Sequence, residues 1–335
     1  MKIDDPIPMT GNLSNEIYLG LDIGGTKCAV VAGDASFSIM KKISFDTCTD
    51  RGWREIIAEF TSSMKSLLAD LDGAVLKRIG ISCGGPLDSK KGMIYSPPNL
   101  PGWDKVPITK IFRDEFGVDT VLQNDANACA LAEWLMGSGK NTSNMIFLTF
   151  GTGMGAGLIL NGRLYSGTND LGGEVGHIRL AKTGPTGYGK AGSFEGFCSG
   201  GGIAQLAKSV VTEKLSNNQV VHFCPTPGMV PSLDAKAVAL AARQDDPVAL
   251  EIIRISGEYL GQGLATLIDI LNPECIVIGS IYSRNEDLFK PLIDKVLKEE
   301  ALAPSLEVCT IMPAKLGDSI GDYAALCTAI YEDKF

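Results

Sequence analysis

Two acids stand where chemistry can be organised. Asp22 closes an apolar run, Ile17–Asp22, and is followed after Ile23 by Gly24-Gly25-Thr26-Lys27. Glycine tolerates positive φ and lets backbone N–H groups come close to a ligand, so such a turn can cradle an anion, a phosphate first of all. A carboxylate facing that turn suits a water-mediated Mg2+ contact. Asp125 follows Asn124 at the end of a second apolar run, Val118–Gln123, and precedes the helical pattern Ala126–Met136. The carboxyl end of a strand is where open α/β sheets place ligands. The same position would make Asp125 a helix N-cap, the structural alternative to a chemical role. A third stretch, Met145–His177, runs from apolar residues through glycines at 151, 153, 155 and 157 into Leu158–Leu160, then ends on Glu174, Gly176 and His177. It offers a second anion-binding turn, with a polar Glu and His within one loop's reach.

The elements that must carry these residues read as α/β. Strands are expected at Ile17–Asp22, Cys28–Ala32, Phe37–Phe45, Arg78–Ser82, Val118–Gln123, Met145–Thr149, Leu158–Leu160, Cys275–Gly279 and Leu306–Met312. Between them, Trp53, Ile56, Ile57, Phe60, Met64, Leu67 and Leu68 recur at helical spacing, and Ile203–Leu215, Asp234–Arg243, Pro247–Leu271, Glu286–Leu297 and Tyr323–Ile330 read as further helices. Asn272-Pro273 stops the longest of these. Ser96–Trp103 is too proline-rich for a regular element, and Thr183–Ser193 reads as a loop. LDIGGTKCAVVAG and TFGTGMGAGLILNG share a strand, glycine turn, strand plan, a sign of internal duplication.

Length and composition set bounds. The 335 residues leave room for two domains, and 45% apolar with 21% charged residues is the composition of a soluble globular protein. A net charge of −9 without a Lys/Arg cluster gives no footprint for nucleic acid. Met1–Glu16 reads as a loose N-terminal arm without the apolar core of a secretory signal, and no apolar run reaches transmembrane length, so a cytoplasmic protein with no membrane partner is expected. The nine cysteines are scattered, odd in number and lack a CxxC, which points to reduced thiols.

Neither glycine turn is a P-loop, since no GK[ST] follows, and neither is a dinucleotide fingerprint, since a strand comes next instead of a helix. Two phosphate turns on hairpins, one per half, resemble the actin-like ATPase (ribonuclease H-like) fold of hexokinase type. Asp22-Ile-Gly-Gly-Thr26, the Thr152–Gly157 turn, Asn124-Asp125, Glu174-Val-Gly-His177, and Glu195 followed by Ser199-Gly200 resemble the repressor, open reading frame and kinase (ROK) family of sugar kinases and sugar-responsive repressors. The likeness covers nearly the whole chain from Ile17, in the right order.

The resemblance implies an ATP-dependent hexose kinase. Asp125 matches the catalytic base that takes the proton of the attacking sugar hydroxyl, usually the 6-OH. Asn124, Glu174, His177 and Glu195 match residues that grip the other hydroxyls, and Asn99 falls where a further contact is expected. Carboxylates, amides and an imidazole suit a ring of hydroxyls that both donate and accept. The resemblance places Mg-ATP across Asp22, Gly24, Gly25, Thr26 and Lys27 on one side and Thr152, Gly153 and Gly155 on the other, with Gly279 beside the adenosine. Only Gly279 remains of the family's glycine run there. In many members the histidine joins three cysteines around a structural zinc; here those positions are Thr186, Tyr188 and Ser193, so no zinc is expected and His177 is kept for the sugar. A histidine satisfied by backbone groups is the alternative reading of His177.

The expected domains are 17–124, with the closing helix 321–332 packed on it, and 125–320. Glucose is the substrate expected, because both Asn99 and Glu195 are present, with mannose or an N-acetylhexosamine as alternatives. Homodimerisation is implied by the family. A repressor would need a DNA-binding helix-turn-helix ahead of Ile17, for which the proline-containing stretch before it is too short. A non-catalytic sugar-binding regulator, or polyphosphate as phosphoryl donor, are further readings that the altered adenosine side leaves open.

Overall fold

The computed structural model describes residues 15–334. The arm expected over Met1–Glu16 therefore lies outside the described residues except at its end, and Glu16 already belongs to the first strand. The first half runs β1 (Glu16–Ile23), β2 (Lys27–Gly33), β3 (Ile39–Asp46), α1 (Trp53–Ala69), β4 (Val75–Cys83), the small hairpin β5 (Leu87–Asp88) and β6 (Met93–Ile94), α2 (Ile108–Phe116), β7 (Asp119–Asn124) and α3 (Asp125–Leu135). The second runs β8 (Met145–Phe150), β9 (Met154–Leu160), β10 (Arg163–Tyr165), the hairpin β11 (Thr186–Gly187) and β12 (Lys190–Ala191), α4 (Phe194–Phe197), α5 (Gly200–Ser216), α6 (Ala235–Ala242) and α7 (Pro247–Leu271). It closes with β13 (Cys275–Ile278), α8 (Ile281–Arg284), α9 (Glu286–Glu300), α10 (Ala303–Glu307), β14 (Thr310–Pro313) and α11 (Ile320–Lys334).

Each half builds one five-stranded sheet, in the orders β3-β2-β1-β4-β7 and β10-β9-β8-β13-β14. In both, the first three strands are antiparallel and the last two join in parallel. The duplication legible at the glycine turns thus extends to the whole sheet. Central strands are apolar along their length because helices cover both faces, as in β13, where every residue is buried. The edge strand β3 alternates between half-buried and exposed positions, since one of its faces is wet.

Local chemistry explains the helices. α1 turns Ile56, Ile57, Phe60, Met64 and Leu67 inward at helical spacing. α7 starts where Asp246 Oδ1 accepts the N–H groups of Val248 and Ala249, with Pro247 in its first turn, and stops at Asn272 in the left-handed region. Helices α3 and α11 form a layer shared by the two sheets: Ala128, Leu131, Ala324 and Cys327 pack with Phe147 and Val277 in one cluster. α11 also lies directly on β1 and β4. A methyl at Gly80 would sit 2.3 Å from Ala329 N, so that crossing needs glycine.

Three expectations change. Ala303–Glu307 is a helix with Pro304 in its first turn, so the strand expected over Leu306–Met312 shrinks to Thr310–Pro313. Phe37 lies in a turn closed by Asp34, whose Oδ1 accepts the N–H groups of Ser36 and Ser38, and β3 begins only at Ile39. The loop Thr183–Ser193 contains the β11/β12 hairpin, turned at Tyr188 and Gly189, both at positive φ. All nine cysteines are free thiols.

Candidate active site

The first glycine turn joins β1 to β2, with Asp22 opposite Ala29 on one side and Ser82 of β4 on the other. Thr47 braces the turn: its hydroxyl donates to Gly24 C=O at 2.7 Å and its N–H to Thr26 C=O at 2.8 Å. Asn99 leans over it, close enough that a methyl at Gly25 would lie 2.7 Å from the Asn99 carbonyl oxygen. The Asp22 carboxylate sits under the first turn of α11, where a methyl at Gly321 would lie 2.5 Å from Oδ2. Burial first, then the charges of Asp125 and Asp322, push its carboxyl up to about 7 against the pull of Lys42. Lys42 Nζ itself pairs with Asp322 Oδ2 at 2.5 Å.

Asp125 is the first residue of α3, and the cap is Asn124, whose Oδ1 accepts Ala126 N–H at 3.0 Å. That corrects the alternative reading of Asp125 as the N-cap. Asp125 Oδ1 also accepts the Ala126 N–H, at 2.8 Å. Asp125 is exposed as a residue, but the protein crowded around its carboxyl takes part of its water away, and this burial raises the carboxyl above the usual range despite those hydrogen bonds. Gly84 and Gly85 form the floor beside it: a methyl at Gly84 would stand 3.3 Å from Asn99 Oδ1, and one at Gly85 3.3 Å from Asn124 Nδ2. Asn99, Asn124 and Asp125 are thus brought to one place by a glycine pair that sequence reading treated only as a turn. Its signal was available in Cys83-Gly84-Gly85-Pro86 at a strand's end.

Across the cleft, Glu174 precedes a single 3-10 turn, Val175–His177, and Glu195 lies on α4, capped by Ser193 Oγ on Gly196 N–H at 3.1 Å. The Glu174 carboxyl is raised by burial first and then by the charges of Glu195 and Asp125, while His177 lowers it. All four groups therefore share one field. Lys190 Nζ donates to His177 C=O at 2.7 Å, which fixes the backbone under the imidazole.

The second glycine turn is shorter than expected. Gly155 and Gly157 lie inside β9; Gly155 N–H is bound to Thr149 Oγ1 at 2.8 Å, and Gly157 gives α3 room to pack. That leaves Gly151, Thr152 and Gly153 as the turn. Gly200 and Gly201, at the start of α5, donate to the carbonyls of Gly151 and Thr152 at 2.7 and 3.4 Å. Gly279 extends the sheet, its N–H on Leu148 C=O at 2.9 Å and its α-carbon facing the Phe147 ring, while Ser280 comes next to Gly151. Lys27 and Thr152 are exposed.

Among the described residues no group of three His, Cys, Asp or Glu side chains could hold a metal. The residues do not fit the zinc of the resemblance: Thr186 is clamped by Gln205 through two hydrogen bonds of 3.0 and 2.9 Å, Tyr188 is exposed, and the Cys198 thiol turns to Ser256 C=O. A hard cation beside a bound phosphate fits Asp22, whose carboxyl lies in the field of Asp125 and Asp322 with Lys42 offsetting only part of their charge. Among the described residues no helix is long and apolar enough to cross a membrane.

Two sheets of one plan, each carrying a strand, glycine turn, strand hairpin, with Asn99 and Asn124 beside Asp125 and Glu174 within its field, fit a two-domain phosphotransferase of the actin-like ATPase fold, hexokinase type. The comparisons agree. The ROK family model matches residues 18–330. The chain is 32% identical over 317 residues to a glucokinase of Thermotoga maritima, covering 94% of this chain and 93% of that protein. It is 33% identical over 301 residues to an N-acetylmannosamine kinase of Escherichia coli, covering 88% and 91%. The solved ROK family glucokinase of Streptomyces griseus, in complex with glucose and AMPPNP, superposes with a TM-score of 0.73 at 28% identity, covering 93% and 99%. The chain belongs to the ROK family and is a sugar kinase, resembling the glucokinases.

Proposed function

We propose that this protein transfers the γ-phosphoryl group of ATP to the 6-hydroxyl of a hexose, glucose in the first place. The observation that carries this reading is the position of Asp125: first residue of α3, between the amides of Asn99 and Asn124 and the acids Glu174 and Glu195, and within the field of Asp22. Asn99, Asn124, Glu174, His177 and Glu195 orient the sugar by its hydroxyls. Asp125, ionised, accepts the proton of the 6-OH as its oxygen bonds to the γ-phosphorus and the bond to the β-phosphate oxygen breaks, leaving ADP. In a loose transition state that proton moves late, so holding the hydroxyl in line matters more than basicity. The turns at Gly24–Lys27 and Thr152–Gly153 offer N–H groups to the phosphates, and the α5 N-terminus adds its partial positive charge beside the second turn. Asp22 is the residue to hold Mg2+ through water. When bound, the cation neutralises charge on the transferring phosphoryl group.

The same reading places the domain boundary at Asn124/Asp125 with α11 returning to the first domain, and has the protein act as a cytoplasmic homodimer with no nucleic-acid partner. An N-acetylhexosamine kinase is the second reading, motivated by the similarity to an N-acetylmannosamine kinase. The test is sugar-phosphate formation over a panel of hexoses and N-acetylhexosamines, with Mg-ATP (read also as ADP release) or with polyphosphate as donor, alongside Asp125→Asn. Turnover on glucose that Asp125→Asn abolishes, with sugar binding retained, supports the proposal. Preference for an N-acetylated sugar selects the second reading. Binding without turnover on any sugar would leave a sugar sensor.

A further inference from the structure

Residues 166–173 connect β10 to Glu174. The base of this loop is tied to its own half and to α3: Ser166 Oγ accepts from Asn127 Nδ2 at 3.3 Å, Gly173 C=O accepts Ala156 N–H at 2.8 Å, and Gly172 N–H closes on Ser166 C=O at 2.9 Å. The tip is held in another way. Asp170 adopts a left-handed conformation, φ 61, and its carboxylate reaches across to Ser89 on the turn between β5 and β6 of the first half. Oδ2 accepts the Ser89 N–H and Oδ1 the Ser89 hydroxyl, both at 2.8 Å. The flanking Thr168, Asn169 and Leu171 are exposed. Both carboxylate oxygens are thus committed to one residue 81 positions earlier in the chain, in charge-assisted hydrogen bonds.

We propose that Asp170 is a positioning residue for hexose binding: by clasping Ser89 it docks the Glu174 loop on the first half, so that Glu174 and His177 face Asn99, Asn124 and Asp125 across one assembled pocket. This rests on the kinase reading above. Without the clasp, sugar must order the loop as it binds, which lowers affinity. Asp125 and the phosphate turns keep their places, since the contacts of α3 and β9 with this loop are made by its base, at Ser166 and Gly173, and not by the clasp, and so turnover at saturating sugar is preserved.

Asp170→Ala, Asp170→Asn, Ser89→Ala and the double alanine variant test this, through steady-state kinetics on the sugar that the wild type prefers and through deuterium exchange of the sugar-free protein. Asp170→Ala is expected to raise the hexose KM by about 10-fold with kcat within about 2-fold and the KM for ATP unchanged. Asp170→Asn, which keeps one acceptor, falls between. Ser89→Ala adds nothing on the Asp170→Ala background, because the two act through one contact. Exchange over residues 168–174 rises about 10-fold in Asp170→Ala. An unchanged hexose KM, a kcat that falls in step with kcat/KM, or additive substitutions would overturn the proposal. If the wild type turns over no sugar, it is the kinase reading that fails; exchange then decides alone, and unaltered protection of 168–174 in Asp170→Ala sinks the clasp.

Discussion

Glu195 holds the second glycine turn by its backbone: Oε2 accepts the Met154 N–H at 3.0 Å, and a methyl at Gly153 would come within 2.9 Å of the same oxygen. One carboxylate therefore touches the second glycine turn, proposed to hold phosphate, while it shares the field of Glu174, proposed to hold the sugar.

Loss of Glu195 is accordingly expected to disturb both substrates. Glu195→Ala should raise the hexose KM by roughly 10- to 100-fold and the ATP KM by a few-fold, and Glu195→Gln, which keeps an acceptor for Met154, should spare ATP. Separate titrations of the two substrates check this. A hexose effect alone would show that the turn stands without Glu195.

The pH profile carries two signs. In the role proposed for it Asp125 accepts a proton only when ionised, and burial raises its carboxyl, so log kcat/KM should fall on the acid side at a pH above the ordinary Asp value of about 3.9. Asp22 acts on stability. Its carboxyl lies at about 7 in the folded protein against 3.8 ordinarily, so the folded state holds this proton more tightly than the unfolded chain. Its contribution is full below the ordinary value and is lost as pH rises through about 7. Urea unfolding of the nucleotide-free protein should show a loss from pH 5.5 to 8 larger by on the order of 2 kcal/mol in the wild type than in Asp22→Asn. Equal losses would exclude Asp22 as the source.

Gly157 sets how closely α3 lies on β9. A methyl there would stand 2.4 Å from Ala126 C=O and 2.5 Å from Ala130 Cβ, so Gly157→Ala must push the helix away. The expected cost is about 1–3 kcal/mol, read as a lowered Tm, together with a lower kcat because Asp125 opens that helix. Gly228→Ala, with open space around it, is the control that should leave both unchanged.

Much of this was legible along the chain because it depends on near neighbours. Apolar runs, glycine turns and helical spacing are local, and they located β1, β2, α1 and α7 within a few residues of their observed ends, as well as both hairpins of the duplicated plan. Reading went astray where a distant partner overruled composition. Gly155 and Gly157 look like turn residues, yet α3, packed against them, needs small residues in a strand. Asn124 and Asp125 are equally good caps on paper, and geometry at the end of β7 gives the cap to Asn124 and leaves Asp125 facing the cleft.

The residue types of the candidate site, its two glycine turns and the α/β alternation follow from the amino-acid order, since each is encoded within a dozen or so positions. The meeting of Asn99 with Asn124 over Gly84-Gly85, the pairing of Lys42 with Asp322 across 280 positions, and the hold of Asp170 on Ser89 across 81 do not. No local pattern records such contacts. They exist because two sheets and the shared layer of α3 and α11 bury apolar surface together, and that packing decides which polar groups are left facing one another in the cleft.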